Sequence, residues 1–291
     1  MPELDVQPRI SIDDHSRIAV VGGGKMGAAL VGGMIASSQS PASAICADNI
    51  VVVNPGEERR AFLEETYDVS CVADVSLVEC ADVVFLAVKP QILPSVLDDI
   101  AQSALGEQVA ARRSPLFVSI AAGVAIADIK SRLPQGARVV RVMPNMPLRV
   151  MEGASGVAGD GSNDADVALV NDLFACFGTS SIVEEGDLDA VTAVSGSGPA
   201  YVCALIEAMR DGGVNEGLSR EVSEQLALQT VFGTAAYIMQ SGTPVHEVLE
   251  SICSPGGTTL AGLAAMEEEG FSASVIAGEQ ACANRSRELG A

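Results

Sequence analysis

Tryptophan is absent from this chain, and aromatic residues make up only 3% of it. The core must therefore be built from Ala, Val, Leu and Ile, a composition that suits parallel sheets and close-packed helices. There are two histidines, His15 and His246. They are too few for a His dyad or a His-rich metal site, and no metal is expected. Seven cysteines lie scattered at Cys46, Cys71, Cys80, Cys176, Cys203, Cys253 and Cys282, an odd number with no CxxC pair. This argues against a zinc site and a disulfide framework, and for a reducing compartment, the cytoplasm. Met1 to His15 is polar and acidic without an apolar central run, so it reads as a loose tail rather than a secretory leader. No apolar stretch is both long and uninterrupted enough to span a bilayer, and no membrane partner is expected. Positive charge is scarce too. The formal net charge is −21, which repels phosphate backbones and makes nucleic acid an unexpected partner. An anionic cofactor would need local donors here, not a global field.

What is present is a large apolar fraction, 48% of 291 residues. At about 150 residues per domain, that length suggests two domains. Strand signals come at Arg17–Gly22, Ile50–Asn54, Val83–Val88, Leu116–Ile120 and Arg138–Met143. Helical patterns separate them, among them Met26–Ala36, Glu57–Thr66 and Gln91–Ser103. Such alternation predicts βαβ units and an α/β fold with a doubly wound, mostly parallel sheet. Gly153–Gly161 can carry an added strand, Asp164–Cys176 reads as a helix, and Ser180–Glu184 as a last strand. From Asp187 to Leu289 the pattern is almost wholly helical, with breaks expected at Gly212-Gly213, Gly242-Thr243-Pro244 and Ser254–Gly257. The expected division is a tail over 1–16, a dinucleotide-binding domain over 17–185 and an all-helical domain over 186–291. Within the latter, Arg220–Met239 is apolar on more than one side. A helix apolar all round must be buried, and a region of about a hundred residues has limited interior. Some of that surface is expected to meet another subunit, a bundle internal to one chain being the alternative.

The strand Arg17–Val21 runs into Gly22-Gly23-Gly24-Lys25-Met26-Gly27, and a helix follows. This is GxGxxG in the context that gives it meaning. Gly22 permits the tight turn, Gly24 lets backbone approach a pyrophosphate, and Gly27 lets helix pack on strand. The helix start then presents unpaired N–H groups to the anion. The second strand ends at Asn54, where an NAD enzyme usually places an acid for the ribose 2′-hydroxyl. Asn54 repels no 2′-phosphate, and Arg59 and Arg60 lie just beyond, which favours NADP. Ala87-Val88-Lys89-Pro90-Gln91 follows the fourth strand signal at a carboxyl end that faces ligand in such sheets. Ser119–Gly123 and Met143–Pro147 share that logic. In the helical region, Ser195–Tyr201 and Ser254-Pro255-Gly256-Gly257-Thr258-Thr259 are donor-rich turns that open helices. Backbone amides at such a start suit a carboxylate, and the Thr259 hydroxyl can reach a polar atom on the same small molecule. Read alone, either turn could be an ordinary helix cap.

Taken together these segments resemble pyrroline-5-carboxylate reductase, from about Arg17 to Leu289. The resemblance rests on Gly22–Gly27, Ala87–Gln91, Arg141–Asn145, Ser195–Tyr201, Asp211-Gly212-Gly213-Val214 and above all Ser254–Glu267, SPGGTTLAGLAAME. It implies a Rossmann domain followed by a helical dimerisation domain, with NADPH as donor and NADH sometimes accepted. It implies a homodimer, often assembled into rings of dimers such as a decamer. Substrate, 1-pyrroline-5-carboxylate, would bind where the nicotinamide meets the Ser254–Thr259 turn. Carried over residue by residue, Gly22, Gly24, Lys25, Met26 and Gly27 would contact the pyrophosphate region. Ala87, Val88, Lys89, Pro90 and Ala122 would line the rest of the cofactor, beside the Asn54 already read at the end of the second strand. Ser254, Gly256, Gly257, Thr258 and Thr259 would hold the substrate, with Thr259 on the ring nitrogen as the catalytic residue. Glu185 would lie near it. Two features depart from the family: Met146 stands where Thr is usual, and Pro244–Ser254 is one residue longer than the usual spacing.

The implied reaction is hydride transfer to C5, giving proline. An iminium is already electrophilic, so orientation and charge complementarity replace acid–base machinery. A β-hydroxyacid dehydrogenase is one rival, but those use a Lys of the helical domain and no Lys follows Lys130. A non-catalytic NADP-binding or metabolite-sensing protein is the other.

Overall fold

The computed structural model describes residues 16–37, 45–78, 80–111, 115–162 and 164–290. The expected tail, 1–16, lies outside them except for Ser16. The chain divides into two compact units. One runs to Gly196 and takes the chain back from Cys282, and the other is Ser197–Ala281.

Among the described residues the first unit is built on eight strands: β1 (Ile18–Val21), β2 (Ile50–Val53), β3 (Ser70–Val72), β4 (Val83–Leu86), β5 (Leu116–Ser119), β6 (Arg138–Met143), β7 (Gly153–Ala158) and β8 (Gly178–Ile182). They form one sheet in the order β3-β2-β1-β4-β5-β6-β7-β8. All neighbours pair in parallel except β6 with β7, where Met143 faces Gly156 in an antiparallel register. The strand order reverses between β1 and β4, so the carboxyl ends of those two strands flank the crevice that such sheets use for ligands. Strand β3 carried no signal in the sequence. Its three residues, Ser70, Cys71 and Val72, are at most half-buried, and an edge strand needs no apolar alternation.

The helices of this unit are α1 (Lys25–Ser37), α2 (Glu57–Tyr67), α3 (Leu93–Ala101), α4 (Ala104–Ala110), α5 (Ile126–Arg132), α6 (Asp164–Ala175) and α7 (Leu188–Val191). They cover both faces of the sheet. Ile18, Val20, Ile50, Val52, Val83 and Phe85 pack on one side with Leu30, Met34, Phe174 and Phe177. Ala19, Val21, Val84, Leu86 and Phe117 pack on the other with Leu97, Ile100, Leu105 and Ile129. Burial on both faces explains why these strands read as unbroken apolar runs. The single helix expected over Gln91–Ser103 is shorter and is followed by a second. The chain bends at Ser103, whose extended backbone begins α4 and whose Oγ donates to the Ile100 carbonyl at 2.7 Å.

One π turn, Thr192–Gly196, leads out of α7. Then come α8 (Gly198–Asn215), α9 (Arg220–Ser241), α10 (Val245–Ile252), α11 (Thr258–Glu268) and α12 (Phe271–Gly290). The break expected at Gly212-Gly213 is absent, because α8 runs straight through both. Gly213 serves a close contact instead: a Cβ there would overlap Ser223 Oγ of α9, which donates to the Arg210 carbonyl at 2.7 Å. The turn falls at Gly217, with φ 101°. The breaks at Gly242 and at Ser254–Gly257 are where the sequence puts them.

Within Ser197–Ala281 only Ser223, Ala227 and Val248 are buried. On α9 alone, Leu226, Phe232, Tyr237 and Met239 are each more than half exposed. The apolar all-round helix thus finds no interior within its own unit. Among the described residues no helix is long and apolar enough to cross a membrane.

Candidate functional site

The first unit gathers its candidate residues on the carboxyl edge of the sheet. Gly22 follows β1 with φ 108°, a left-handed conformation that only glycine takes readily. Its N–H donates to the Val53 carbonyl at 2.9 Å, and Ala87 N–H donates to the Val21 carbonyl at 2.8 Å. The loops after β1 and β4 are therefore pressed together. A Cβ on Gly22 would stand 2.5 Å from the Ala87 oxygen and 2.9 Å from Val88 Cγ1. A Cβ on Gly27 would overlap the Gly22 oxygen, so α1 can start this close to the strand only with glycine there. Gly24 differs from both. Nothing lies within 4 Å of the place its Cβ would fill, and Gly24 and Lys25 are exposed. That open cradle faces the start of α1, whose first turn carries no acid. A helix start without a neutralising carboxylate attracts an anion.

The end of β2 supplies cationic groups. Asn54 Oδ1 accepts from Gly23 N–H at 3.3 Å, and its Nδ2 donates to the Gly56 carbonyl at 3.2 Å. Arg59 lies over the Phe62 ring, 4.6 Å from its centroid. Its Nε donates to the Gly23 carbonyl at 2.5 Å and its terminal nitrogen to that of Gly24 at 3.1 Å. Arg60 donates to the carbonyls of Asn54 at 2.9 Å and Pro55 at 2.7 Å. Arg59 thus engages the glycine loop and Arg60 the end of β2 beside it, and no acid takes the position where an NAD enzyme places one. With the empty cradle at Gly24, this donor set fits a dinucleotide that carries a 2′-phosphate. Farther along the edge, Ala87, Val88 and Pro90 are half-buried, while Lys89 and Ala122 are exposed.

Glu185 has a structural partner set. Its Oε1 accepts from Arg141 at 2.8 Å and from the Ile126 N–H at the start of α5 at 2.7 Å. It ties three segments of the first unit together. Asn145, noticed in the sequence within the strand-ending loop and the Arg141–Asn145 segment but given no role, is a second clamp. It is buried, accepts from Ala154 N–H at 2.9 Å and donates to the Ser195 carbonyl at 3.1 Å. A polar residue between two prolines was the available signal. Met146, beside it, is 45% exposed.

The second unit holds Ser254, Gly256, Gly257, Thr258 and Thr259. Gly256 has φ 69°. Gly257 N–H donates to the Ser254 carbonyl at 2.9 Å, and a Cβ on Gly257 would stand 2.5 Å from Ser254 Oγ. This turn opens α11, which has neither a side-chain cap nor an acid in its first turn. Its leading amides stay available to an anion. Ser254 and Thr258 are exposed, and Thr259 is half-buried.

A glycine loop at the switch point of a doubly wound sheet, with arginines in place of an acid, defines a dinucleotide-dependent oxidoreductase domain. Known proteins narrow this class. The NADP oxidoreductase, coenzyme F420-dependent family matches residues 17–123, and the pyrroline-5-carboxylate reductase dimerisation family matches residues 185–289. The chain is 38% identical to a pyrroline-5-carboxylate reductase of Synechocystis, covering 94% of this chain and 98% of that one. It is 34% identical to the Escherichia coli enzyme of that name, over 94% and 98% of the two chains. A crystal structure of the Plasmodium falciparum pyrroline carboxylate reductase with NADP bound aligns at a TM-score of 0.81 and 32% identity, covering 96% of this chain and all of that one. This chain belongs to the pyrroline-5-carboxylate reductase family.

The two glycines make separable predictions. Gly27→Ala must force the Gly22 carbonyl away, so it should lower both Tm and NADPH affinity. Gly24→Ala meets nothing in the protein, so it should keep the wild-type Tm and still weaken NADPH by about tenfold or more, through lost close approach to the pyrophosphate. Thermal melts and fluorescence titration with NADPH read the two effects; an unweakened Gly24→Ala would place the pyrophosphate elsewhere.

Proposed function

We propose that this chain is an NADPH-dependent pyrroline-5-carboxylate reductase, working as a homodimer in the cytoplasm and assembling further into a decamer. Family membership over nearly the whole chain supports the activity. The observation that carries the substrate assignment is the uncapped, acid-free start of α11 behind the Ser254–Gly257 turn. Cysteines that are not joined in disulfides suit a reducing compartment. The apolar side chains exposed along α9 suit a face covered by a second copy.

In this reading Gly22, Gly24, Lys25, Met26 and Gly27 hold the pyrophosphate, and Asn54, Ala87, Val88, Lys89, Pro90 and Ala122 line the rest of the cofactor. Bound NADPH supplies the hydride that converts the cyclic imine to proline. The chain's own part is binding and orientation. Gly256 and Gly257 bend the backbone so that the first amides of α11 meet the substrate carboxylate. Gly257 must be glycine for the bend to close over Ser254. The Thr259 hydroxyl bonds the ring nitrogen and fixes the face of the imine. No histidine is asked to move a proton, because the protonated imine is already an electrophile. Glu185 acts at one remove, holding Arg141 and the start of α5.

Mixing the protein with NADPH and 1-pyrroline-5-carboxylate should deplete absorbance at the nicotinamide band. NADPH binding without oxidation would instead favour a sensor. Thr259→Ala should lower kcat/KM by about tenfold or more, the loss of one oriented hydrogen bond. An unchanged value would remove Thr259 from the chemistry.

Arg59 makes the cofactor preference testable. Arg59→Ala should raise KM for NADPH by about tenfold while moving that for NADH far less, since only the former loses a charge-assisted contact to phosphate. Equal effects on both would show that Arg59 only supports the glycine loop.

Assembly has its own readout. Light scattering should give the mass of five dimers for the wild-type protein. Phe232→Glu should lower that mass, because a charge would then have to be buried in the α9 contact. An unchanged mass would take α9 out of the interface.

A further inference from the structure

The last turn of α12 belongs to the first unit and packs there against the turn that follows β5. A Cβ on Gly290 would overlap the Gly123 carbonyl oxygen. A Cβ on Gly123 would lie 3.3 Å from Gly290 N and 3.4 Å from its Cα. The two backbones are in contact; Gly290 has no room for a side chain, and a Cβ at Gly123 would fit only tightly. Gly123 also has φ 76°, where any residue but glycine is strained.

Three further ties hold this end of α12. Cys282 Sγ lies 3.9 Å from the Thr192 carbonyl, Ser286 Oγ donates to Asp189 at 2.5 Å, and Arg287 stands 4.0 Å from the same carboxylate. Beside the final turn is a cavity of about 300 Å³ bounded by Leu93, Leu97, Val124, Ser131 and Leu289. The turn therefore braces one side of a cleft and is not sealed into the core.

What it braces matters. The segment after β5 leaves the sheet at its carboxyl edge and carries the exposed Ala122. Hydrogen bonds hold its two ends: Ala121 N–H donates to Ser119 Oγ at 3.3 Å, and Ile126 N–H to Glu185 at 2.7 Å. The contact with Gly290 falls between them. We propose that Gly290 is a positioning residue for the reaction: by backbone contact with Gly123 it fixes the 120–123 turn, and with it Ala122, against the cofactor. This rests on the assignment of that edge to NADPH. The residue touches no reacting atom, and its influence passes through Gly123 alone.

The test compares three forms of the whole protein: Gly290→Ala, a chain ending at Glu288, and Ser286→Ala. The last loosens α12 where it meets Asp189, away from the turn. NADPH titration, thermal melts and steady-state kinetics are measured on each. Gly290→Ala and the shortened chain should raise Kd and KM for NADPH by about tenfold, with kcat moving much less, as expected when a binding loop is displaced rather than a reacting group removed. Ser286→Ala should lower Tm and leave the NADPH Kd unchanged. A purely steric effect of the alanine would be relieved by shortening the chain, and that relief would overturn the proposal. So would an NADPH Kd within about twofold of wild type in Gly290→Ala, or an equal weakening in Ser286→Ala. If the wild-type protein binds NADPH but reduces no pyrroline-5-carboxylate, the catalytic reading fails while the titrations still decide the role of Gly290.

Discussion

The close approach of two loop backbones, at Gly22 after β1 and at Ala87 after β4, is the constraint on which the cofactor edge depends. A Cβ on Gly22 would stand 2.5 Å from the Ala87 oxygen, so the two strands can end side by side only because glycine sits there. That approach sets where α1 begins, and the missing Cβ of Gly27 lets the helix start against the Gly22 carbonyl. The empty space at Gly24 then faces a helix start whose first turn carries no acid. From α2, Arg59 reaches the same loop and donates to its Gly23 and Gly24 carbonyls, while Arg60 donates to those of Asn54 and Pro55 at the end of β2. In a chain with a net charge of −21, an anion is held by such local donors or not at all.

The helical unit answers a different constraint. Its helices are long and rich in alanine, and they bury three residues between Ser197 and Ala281. Packing free energy of that size cannot offset the conformational entropy of ordering so many residues. Its stability must come from a second surface, and the family to which residues 185–289 belong is one of dimerisation. The same unit carries the Ser254–Thr259 turn, so the element that depends most on association also presents the residues proposed to hold substrate.

Much of this was legible in the sequence. Strands β1, β2, β4, β5 and β6 were found within one or two residues of their bounds, since burial on both faces leaves continuous apolar runs. The glycine loop and the SPGGTT turn announced themselves through residue types that backbone geometry demands. Other features were hidden. Strand β3 lies at an edge and shows no pattern. Gly212-Gly213 looked like a break, yet Gly213 admits Ser223 of a neighbouring helix, and composition cannot distinguish a turn glycine from a contact glycine. The partners of Glu185 were hidden as well: its carboxylate is engaged by Arg141 and the Ile126 amide, residues distant in sequence.

By itself the sequence determined the fold class, the dinucleotide loop, the presence of Asn54 rather than an acid at the end of β2 and the helix start that suits a carboxylate. All of these are written in local residue types and periodicity. Tertiary structure alone decided which glycines are contacts, which arginine carbonyls of the loop engage, how Asn145 and Glu185 are spent, and that Gly290 rests on Gly123. Those facts join positions far apart along the chain. No local pattern encodes such pairings, because they exist only once the sheet has brought its carboxyl ends together.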